Sequence, residues 1–286
     1  MNYKIITDTC CDFPAQMYRD LDLVVVPLSV LYKGEYYSEY SEQWLKDLFE
    51  SMRHGETATT SAVNPEGWAN AIEPILAAGQ DALVMAFSSG LSATYQSAVI
   101  AAQELQEKYP DRKINVVDTL CASLGQGLLV WYACQKRDEG LSLEELTAWV
   151  EDNKLNLCHW VIADDLMHLK RGGRISTATA VAGTLLQIKP VIHVNDEGKL
   201  ISVAKARGRK AAIQTLCNKV GELGIEGAND TIFICHGDCL EDAQTLEVML
   251  KEKYGTKNVF IYYIGAVIGS HTGPGVMAVF FLGEHR

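Results

Sequence analysis

The chain has 286 residues, of which 48% are hydrophobic and 21% are charged. A chain of this length and composition buries a full hydrophobic core and forms one large domain or two ordinary ones, which argues against a disordered chain. Its formal net charge of −11 argues against binding to nucleic acid or to an anionic membrane surface, because both need clustered lysine and arginine. We therefore expect no nucleic-acid partner.

Eight cysteines are scattered along the chain without a Cys-x-x-Cys pair. In a chain of this size, such cysteines are typical of reduced, buried thiols. The first residues turn polar within the length of one strand, and no apolar run reaches the roughly 20 residues that a transmembrane helix needs. These features predict a soluble cytoplasmic protein without a membrane span.

The first half of the chain alternates short apolar runs with longer amphipathic ones, a pattern that predicts a mainly parallel sheet covered by helices. One helix has a clear start, because Asn64 is a good N-cap and Pro65 suits the first helical position. The segments 57–61 and 264–275 are predicted to be loops. Strands are predicted at 3–7, 23–31, 82–87 and 113–117, and helices at 44–52, 65–77, 92–109, 122–138 and 143–153.

The second half begins with a strand at 156–163, and it contains a hairpin whose turn is Asp196-Glu197-Gly198. The further strands are predicted at 190–195, 199–207, 231–236, 258–264 and 277–282, and the helices at 166–170, 178–187, 209–223 and 241–253. We expect two α/β domains that meet at a cleft, with residues 1–160 forming the first and residues 161–286 the second.

Hydroxyl residues cluster where a predicted buried strand runs into a helix, at Ser88-Ser89-Gly90-Leu91-Ser92. In a parallel sheet, ligands bind beyond the carboxyl ends of the strands, and the N-terminus of a helix attracts anions. Helix capping explains Ser92 alone, but it does not explain so many hydroxyls around a glycine. The segment predicts an anion site.

A second hydroxyl segment, Thr59-Thr60-Ser61, precedes another predicted helix, and we expect the two segments to converge on one crevice. A third candidate is His271, which lies among the glycines of segment 264–275 between Ser270 and Thr272. Glycines in such number indicate that the backbone approaches a neighbour closely, and an imidazole there is able to donate a hydrogen bond to a carboxylate.

Positive charge is concentrated in Lys170-Arg171-Gly172-Gly173-Arg174 and again around Arg207, within a chain that is acidic elsewhere. The basic segment lacks the glycine, lysine and hydroxyl spacing of a P-loop. Two interpretations stay open at this point, a solvated basic surface and a docking site for phosphate or an acidic partner.

Together these segments resemble the DegV family, bacterial fatty-acid-binding proteins that act as acyl carriers for fatty-acid kinase. The matching segments keep their order through most of the chain. They are Thr7-Asp8, Asp12-Phe13-Pro14, Thr60-Ser61, Ser88-Ser89-Gly90-Leu91-Ser92, Thr94-Tyr95-Gln96-Ser97-Ala98, Asp118 with Ser123, 169–176, Ile188-Lys189-Pro190 and 269–275.

The sequence departs from the family pattern at two places. Cys10-Cys11 stands where small hydroxyl residues are more common, and Ala93 stands where glycine is usual. The first departure bears on pocket polarity and redox sensitivity. The second is tolerated unless the backbone at that position needs a positive φ.

The resemblance implies an α/β fold of two domains with a ligand tunnel between them and no cofactor. The first domain would carry the carboxylate-binding segments, and the second would cover the acyl chain. By carry-over, Thr60 and Ser92 would hold the carboxylate of a long-chain fatty acid such as palmitate, with Ser61 and Ser89 beside them and His271 near the head group.

In such proteins a partner fatty-acid kinase phosphorylates the bound carboxylate, so the resemblance implies that this chain is a substrate carrier and not itself an enzyme. The residues that we assign to kinase docking or phosphate handling are Lys170, Arg171, Arg174 and Arg207.

Two other classes of function stay open from the residues alone. One is a serine acyl hydrolase with Ser89 or Ser92 as nucleophile and His271 as base, although the chain lacks a Gly-x-Ser-x-Gly elbow and shows no orienting carboxylate near His271. The other is a binder of another small organic anion.

Overall fold

Three β-sheets organise the computed structural model, which describes residues 2–176 and 187–286. Their strands are β1 (Tyr3–Asp8), β2 (Val24–Val26), β3 (Ser29–Tyr32), β4 (Glu35–Tyr37), β5 (Thr59–Ser61), β6 (Asp81–Ala86), β7 (Ile114–Asp118), β8 (Leu157–Ile162), β9 (Ile188–Val194), β10 (Leu200–Arg207), β11 (Thr231–His236), β12 (Asn258–Tyr263) and β13 (Met277–Leu282). A four-stranded sheet has the order β2-β1-β6-β7, a six-stranded sheet β10-β9-β8-β13-β11-β12, and a three-stranded sheet β4-β3-β5.

Helices cover these sheets and join their strands. They are α1 (Ala15–Asp20), α2 (Glu42–Arg53), α3 (Pro65–Ala77), α4 (Thr94–Lys108), α5 (Leu124–Asp138), α6 (Leu143–Asn153), α7 (Met167–Arg171), α8 (Arg209–Leu223), α9 (Leu240–Tyr254) and α10 (Ala266–Thr272), with 3-10 helices at Thr9–Cys11 and Lys154–Asn156. None of the described helices combines the length and the apolarity needed to cross a membrane.

Most predicted elements are confirmed, and several have the predicted bounds. The four-stranded sheet is parallel throughout, as the strand–helix alternation predicted. Helix α3 starts as expected, because the Asn64 side chain accepts the Gly67 N–H at 2.8 Å and Pro65 is its first residue. The β9–β10 hairpin also forms, with antiparallel pairing. The predicted helix at 178–187 lies, apart from its last residue, outside the described residues.

The prediction of one strand at 23–31 is wrong, because the chain breaks at Pro27-Leu28 into β2 and β3. Proline donates no backbone hydrogen bond, so it interrupts a ladder. Strand β2 pairs with β1 in the parallel sheet, whereas β3 pairs with β4 and β5 in the small antiparallel sheet. The hydroxyl segment at 59–61 is therefore a strand and not a loop, and it does not belong to the parallel sheet.

The prediction of a loop at 264–275 is wrong as well, because residues 266–272 form helix α10. Glycine is a weak helix former, but Gly269 is needed here for a close approach: a Cβ at this position would lie 2.7 Å from Cζ of Phe49. The helix ends at Gly273, whose φ is +80°. Tertiary packing thus outweighs local propensity in this segment.

Helix α5 lies between the six-stranded sheet and the N-terminal segment. Its contacts include β8, β11, β13 and the 3-10 helix at Thr9–Cys11. Two glycines on different sides of the helix permit this close packing. A Cβ at Gly125 would clash with His159 and Phe280, whereas one at Gly127 would clash with Cys11 and Phe13.

Strands of the parallel sheet come from residues 3–118, and those of the six-stranded sheet from residues 157–282. The predicted boundary between residues 160 and 161 falls inside β8, and the domain division stays a prediction. All eight cysteines are free thiols, and all but the half-buried Cys239 are buried, as their scattered positions predicted.

Asp8 ties the carboxyl ends of β1 and β6 together from a fully buried position. Its carboxylate accepts the N–H of Cys10 at 2.9 Å and the N–H of Phe87 at 2.7 Å. Burial raises the pKa of Asp8 to about 6, and these two hydrogen bonds oppose that rise. The carboxylate therefore holds the chain at the point where two parallel strands end.

We predict that Asp8→Ala destabilises the protein by about 2–6 kcal/mol, since it leaves two buried N–H groups without an acceptor. Urea denaturation followed by circular dichroism measures the change. Asp111→Ala, at an exposed position, is the control and should stay within about 0.5 kcal/mol of wild type. Equal stability of the two variants would contradict this role of Asp8.

Candidate functional site

A cavity of about 220 Å³ lies over one face of the six-stranded sheet. Strand register explains its floor, because residues directly opposite on neighbouring strands point to the same face. One such row runs across four strands, from β9 to β11, and consists of Ile192, Val161, Ala278 and Cys235. Nearer the start of β8, the opposite pair His159 and Phe280 lines the cavity, and so does Val194, the last residue of β9.

Apolar side chains from the other elements close the cavity over this floor. They are Leu28, Ala62, Phe87, Leu91, Ala93, Ala122, Leu169, Leu200, Ile264, Val267, Ile268 and Val276. A cavity with such a lining favours an apolar ligand, because each methylene moved from water into it contributes about 0.8 kcal/mol.

At one end, the cavity adjoins a second pocket of about 310 Å³, which we call the outer pocket. Thr60, Arg174 and His271 line both spaces, so they form a polar neck between them. The apolar cavity lies on one side of this neck. The outer pocket lies on the other side, where Arg171 and His168 line it.

Two elements that are distant in sequence hold the neck together. Thr60 lies on β5 and His271 on α10, and Thr60 Oγ1 is 2.8 Å from His271 Nε2. Gly172 lies directly against the imidazole of His271, so that a Cβ at position 172 would clash with the ring. A glycine is therefore required in the basic turn for His271 to take this position.

Arg174 completes the neck from the basic segment. Its Nε donates to the Leu91 carbonyl at 3.1 Å, and Nη1 donates to the Gly172 carbonyl. Burial, and to a lesser extent the charge of Arg174, lower the pKa of His271 to about 4. The imidazole is therefore neutral at pH 7, and the arginine carries the fixed positive charge of the neck.

Ser92 lines the same cavity, beside the start of α4. Its Oγ is 2.9 Å from Thr94 Oγ1 and accepts the Thr94 N–H at 3.2 Å. The two hydroxyl segments thus converge on one cavity through Thr60 and Ser92, although they belong to different sheets. Ala93 has a φ of −76°, so alanine fits there without strain, as expected.

The other predicted residues lie outside the cavity lining. Ser61 is exposed because neighbouring residues on a strand face opposite sides, and Ser89 is exposed with its N–H donating to Asp118 Oδ1 at 3.1 Å. Lys170 is half-buried on α7, and Arg207 is exposed on β10. Of the four basic candidates, Arg171 and Arg174 are brought to the outer pocket.

The arrangement does not resemble a serine hydrolase site. The partner of His271 Nε2 is the Thr60 hydroxyl, and the hydroxyl partner of Ser92 is Thr94. In the described part of the chain, neither Ser89 nor Ser92 forms the hydrogen bond with an imidazole that a nucleophilic serine needs.

A family model described as "Uncharacterised protein, DegV family" matches residues 2–284. The chain belongs to the DegV family. A DegV domain-containing protein of Clostridium perfringens is 47% identical over 286 residues, which cover 99% of this chain and 98% of that protein. The resemblance that the sequence motifs indicated is therefore confirmed.

Solved DegV structures show the same fold. A DegV family protein of Thermus thermophilus, named for fatty acid binding, has a TM-score of 0.88 and 32% identity, covering 99% of this chain and 100% of that one. A DegV lipid-binding protein of Thermotoga maritima has a TM-score of 0.87 and 28% identity, covering 100% of both chains. The predicted α/β DegV fold is confirmed, and neither protein is named for a catalytic activity.

Three polar residues of this DegV cavity were not predicted as site residues, namely His159, Ser123 and Thr272. Alternation along β8 was the available signal for His159, since it lies on the same face as Val161. Ser123 was noted only as part of the family resemblance, and Thr272 only as a neighbour of His271. Ser123 has a φ of +55°, and its Oγ donates to Asp12 Oδ2 at 2.5 Å. Cys10 and Cys11 are fully buried outside the cavity lining, and burial raises the pKa of both thiols.

We predict that Arg174→Gln raises the pKa of His271 from about 4 towards 6.5, because it removes a positive charge that disfavours the imidazolium. The rise should stop short of 6.5, since burial is the larger cause of the lowered pKa. An NMR titration of the imidazole resonances measures it. Arg171→Gln is the matched control and should change the pKa less; a larger change in the control would refute this assignment.

Proposed function

We propose that the protein binds a long-chain fatty acid, with the acyl chain in the apolar cavity and the carboxylate at the neck. The observation that carries this proposal is the position of Thr60, Arg174 and His271 between an apolar cavity and the outer pocket. The names of the Thermus thermophilus and Thermotoga maritima relatives support it, since both refer to lipid or fatty acid binding.

The energetics favour an acyl chain in the apolar cavity and a carboxylate at the polar neck. A chain of about fourteen methylenes gains on the order of 10 kcal/mol by burial before ordering costs. An unpaired carboxylate at the edge of this cavity costs several kcal/mol, so hydrogen-bond donors are needed there. In our proposal, the hydroxyls of Thr60 and Ser92 and the guanidinium of Arg174 supply them, while the imidazole of His271 donates from Nε2 to Thr60 Oγ1 and so leaves the Thr60 O–H free for the carboxylate.

Native mass spectrometry of the protein purified from bacterial cells tests the binding directly. We expect a co-purified acid of 14 to 18 carbons. Absence of such an acid, together with no uptake of added palmitate by the delipidated protein, would exclude the proposed function. Steady hydrolysis of acyl esters that is lost in Ser92→Ala would instead favour the hydrolase alternative.

We predict that Thr60→Val and Ser92→Ala each weaken palmitate binding by about tenfold or more, because a hydrogen bond to a charged group contributes roughly 1.5–3 kcal/mol. Isothermal titration calorimetry on delipidated protein measures the affinity. Ser61→Ala and Ser89→Ala are matched controls at exposed positions beside them, and their affinities should equal that of wild type. The same loss in a control as in its partner would contradict the proposed donors.

We further propose that a partner fatty-acid kinase phosphorylates the bound carboxylate from the outer pocket. Arg171 and His168 line this pocket, and Arg171 Nη2 lies 2.9 Å from His168 Nδ1. Fixed positive charge attracts the transferred phosphoryl group and an acidic partner surface. Lys170 on α7 and Arg207 on β10 do not line the outer pocket, and we propose both as residues that dock the kinase. The division into domains 1–160 and 161–286 is likewise part of the proposal.

We predict that Arg171→Glu retains palmitate but lowers the rate of acyl-phosphate formation by a purified fatty-acid kinase with ATP by at least about tenfold, as expected for a lost charge-assisted contact. Arg19→Glu on α1 is the control, because it makes the same charge change away from both pockets. A normal rate in Arg171→Glu would exclude this residue from phosphate handling. Absence of any acyl-phosphate with the wild-type protein would exclude the kinase partnership.

A further inference from the structure

The course of β8 gives the cavity a direction. The strand ends at Ile162, and α7 and the basic turn follow it, with Gly172 packed against His271 of the neck. Ala163, just past the strand end, therefore lies towards the neck. His159 lies four residues earlier, about 13 Å away at the rise of an extended strand. The cavity thus runs from the neck towards His159.

Three contacts fix the imidazole of His159. Its Nδ1 donates to the Leu157 carbonyl at 2.8 Å, and its Nε2 accepts the Ala122 N–H at 3.3 Å. The ring also meets Phe280 edge-on, with 5.3 Å between the ring centroids. Since both nitrogens are bonded to the backbone, the ring has one orientation.

Helix α5 packs directly against the ring. Gly125 of α5 lies so close to it that a Cβ there would clash with both Nε2 and Cδ2 of the imidazole. The side chain is only 1% exposed. Its neighbours in the cavity lining, Ala122, Val194 and Phe280, are apolar.

Burial is also the largest cause that lowers the pKa of His159, to about 3, and the charge of Arg286 acts in the same direction. The ring is therefore uncharged at physiological pH, and its polar atoms are satisfied. A methyl group placed against it meets carbon atoms and no unpaired donor or acceptor. The polar residue thus behaves as an apolar wall.

We propose that His159 is the end wall of the acyl cavity and limits the length of the fatty acid that the protein accepts. The inference rests on the proposed function, because it assigns the neck to the carboxylate and this end to the terminal methyl. The rigid ring, clamped between the backbone and α5, would exclude further methylenes that a smaller side chain would admit.

The test is a chain-length profile of the delipidated protein with saturated acids from C12 to C22, measured by competition against one labelled acid. His159→Ala should move the best-bound length upward by at least two carbons. The affinity for acids two carbons longer than the wild-type optimum should rise on the order of tenfold, since each added methylene that is buried gains about fourfold. His193→Ala is the matched control, because His193 lies on β9 outside the cavity lining and stacks on Trp160.

A shift in His159→Ala but not in His193→Ala supports the end wall. A folded His159→Ala variant with the wild-type optimum overturns it. His159→Asn keeps a polar side chain for the Ala122 N–H and gives the same two outcomes if the alanine variant does not fold. Failure of the wild-type protein to bind any acid would overturn the proposed function itself, and the end wall with it.

Discussion

The hydrogen bond between Thr60 Oγ1 and His271 Nε2 joins two residues that are 211 positions apart. It connects the small antiparallel sheet to α10, and both of its residues line the apolar cavity and the outer pocket. The neck depends on this contact and on the basic turn that brings Arg174 beside it. Because Gly172 is packed against the imidazole, the turn and the histidine determine each other's position.

Two histidines line the apolar cavity in the uncharged form. His271 and His159 both have lowered pKa values because they are buried, so neither carries a charge into the cavity at pH 7. They differ in their partners. His159 is bonded to the backbone through both nitrogens, whereas Nε2 of His271 meets a threonine hydroxyl at the neck. The first arrangement suits a wall, and the second suits a group that responds to an arriving anion.

Much of the fold was predictable because hydrophobic period and capping are local properties. Helix α3 begins where Asn64 and Pro65 indicated, and α6, α8, β11 and β13 have the predicted bounds. The errors arose where distant contacts outweighed local preference. Pro27 divides an apolar run between two sheets, and α10 forms although it contains Gly269, which packs closely against Phe49.

The sequence by itself determined the α/β class, the family and the hydroxyl and histidine segments of the candidate site. Short motifs and the alternation of apolar runs with amphipathic ones involve residues that are close together in the chain, so they can be recognised without the structure. Tertiary structure decided which members of those segments face the cavity. Thr60 and Ser92 line it while Ser61 and Ser89 do not, because strand alternation and loop geometry set their directions. It also brought Arg174 to the neck and His159 to the cavity lining, positions that depend on sheet register and helix packing between residues far apart in the chain.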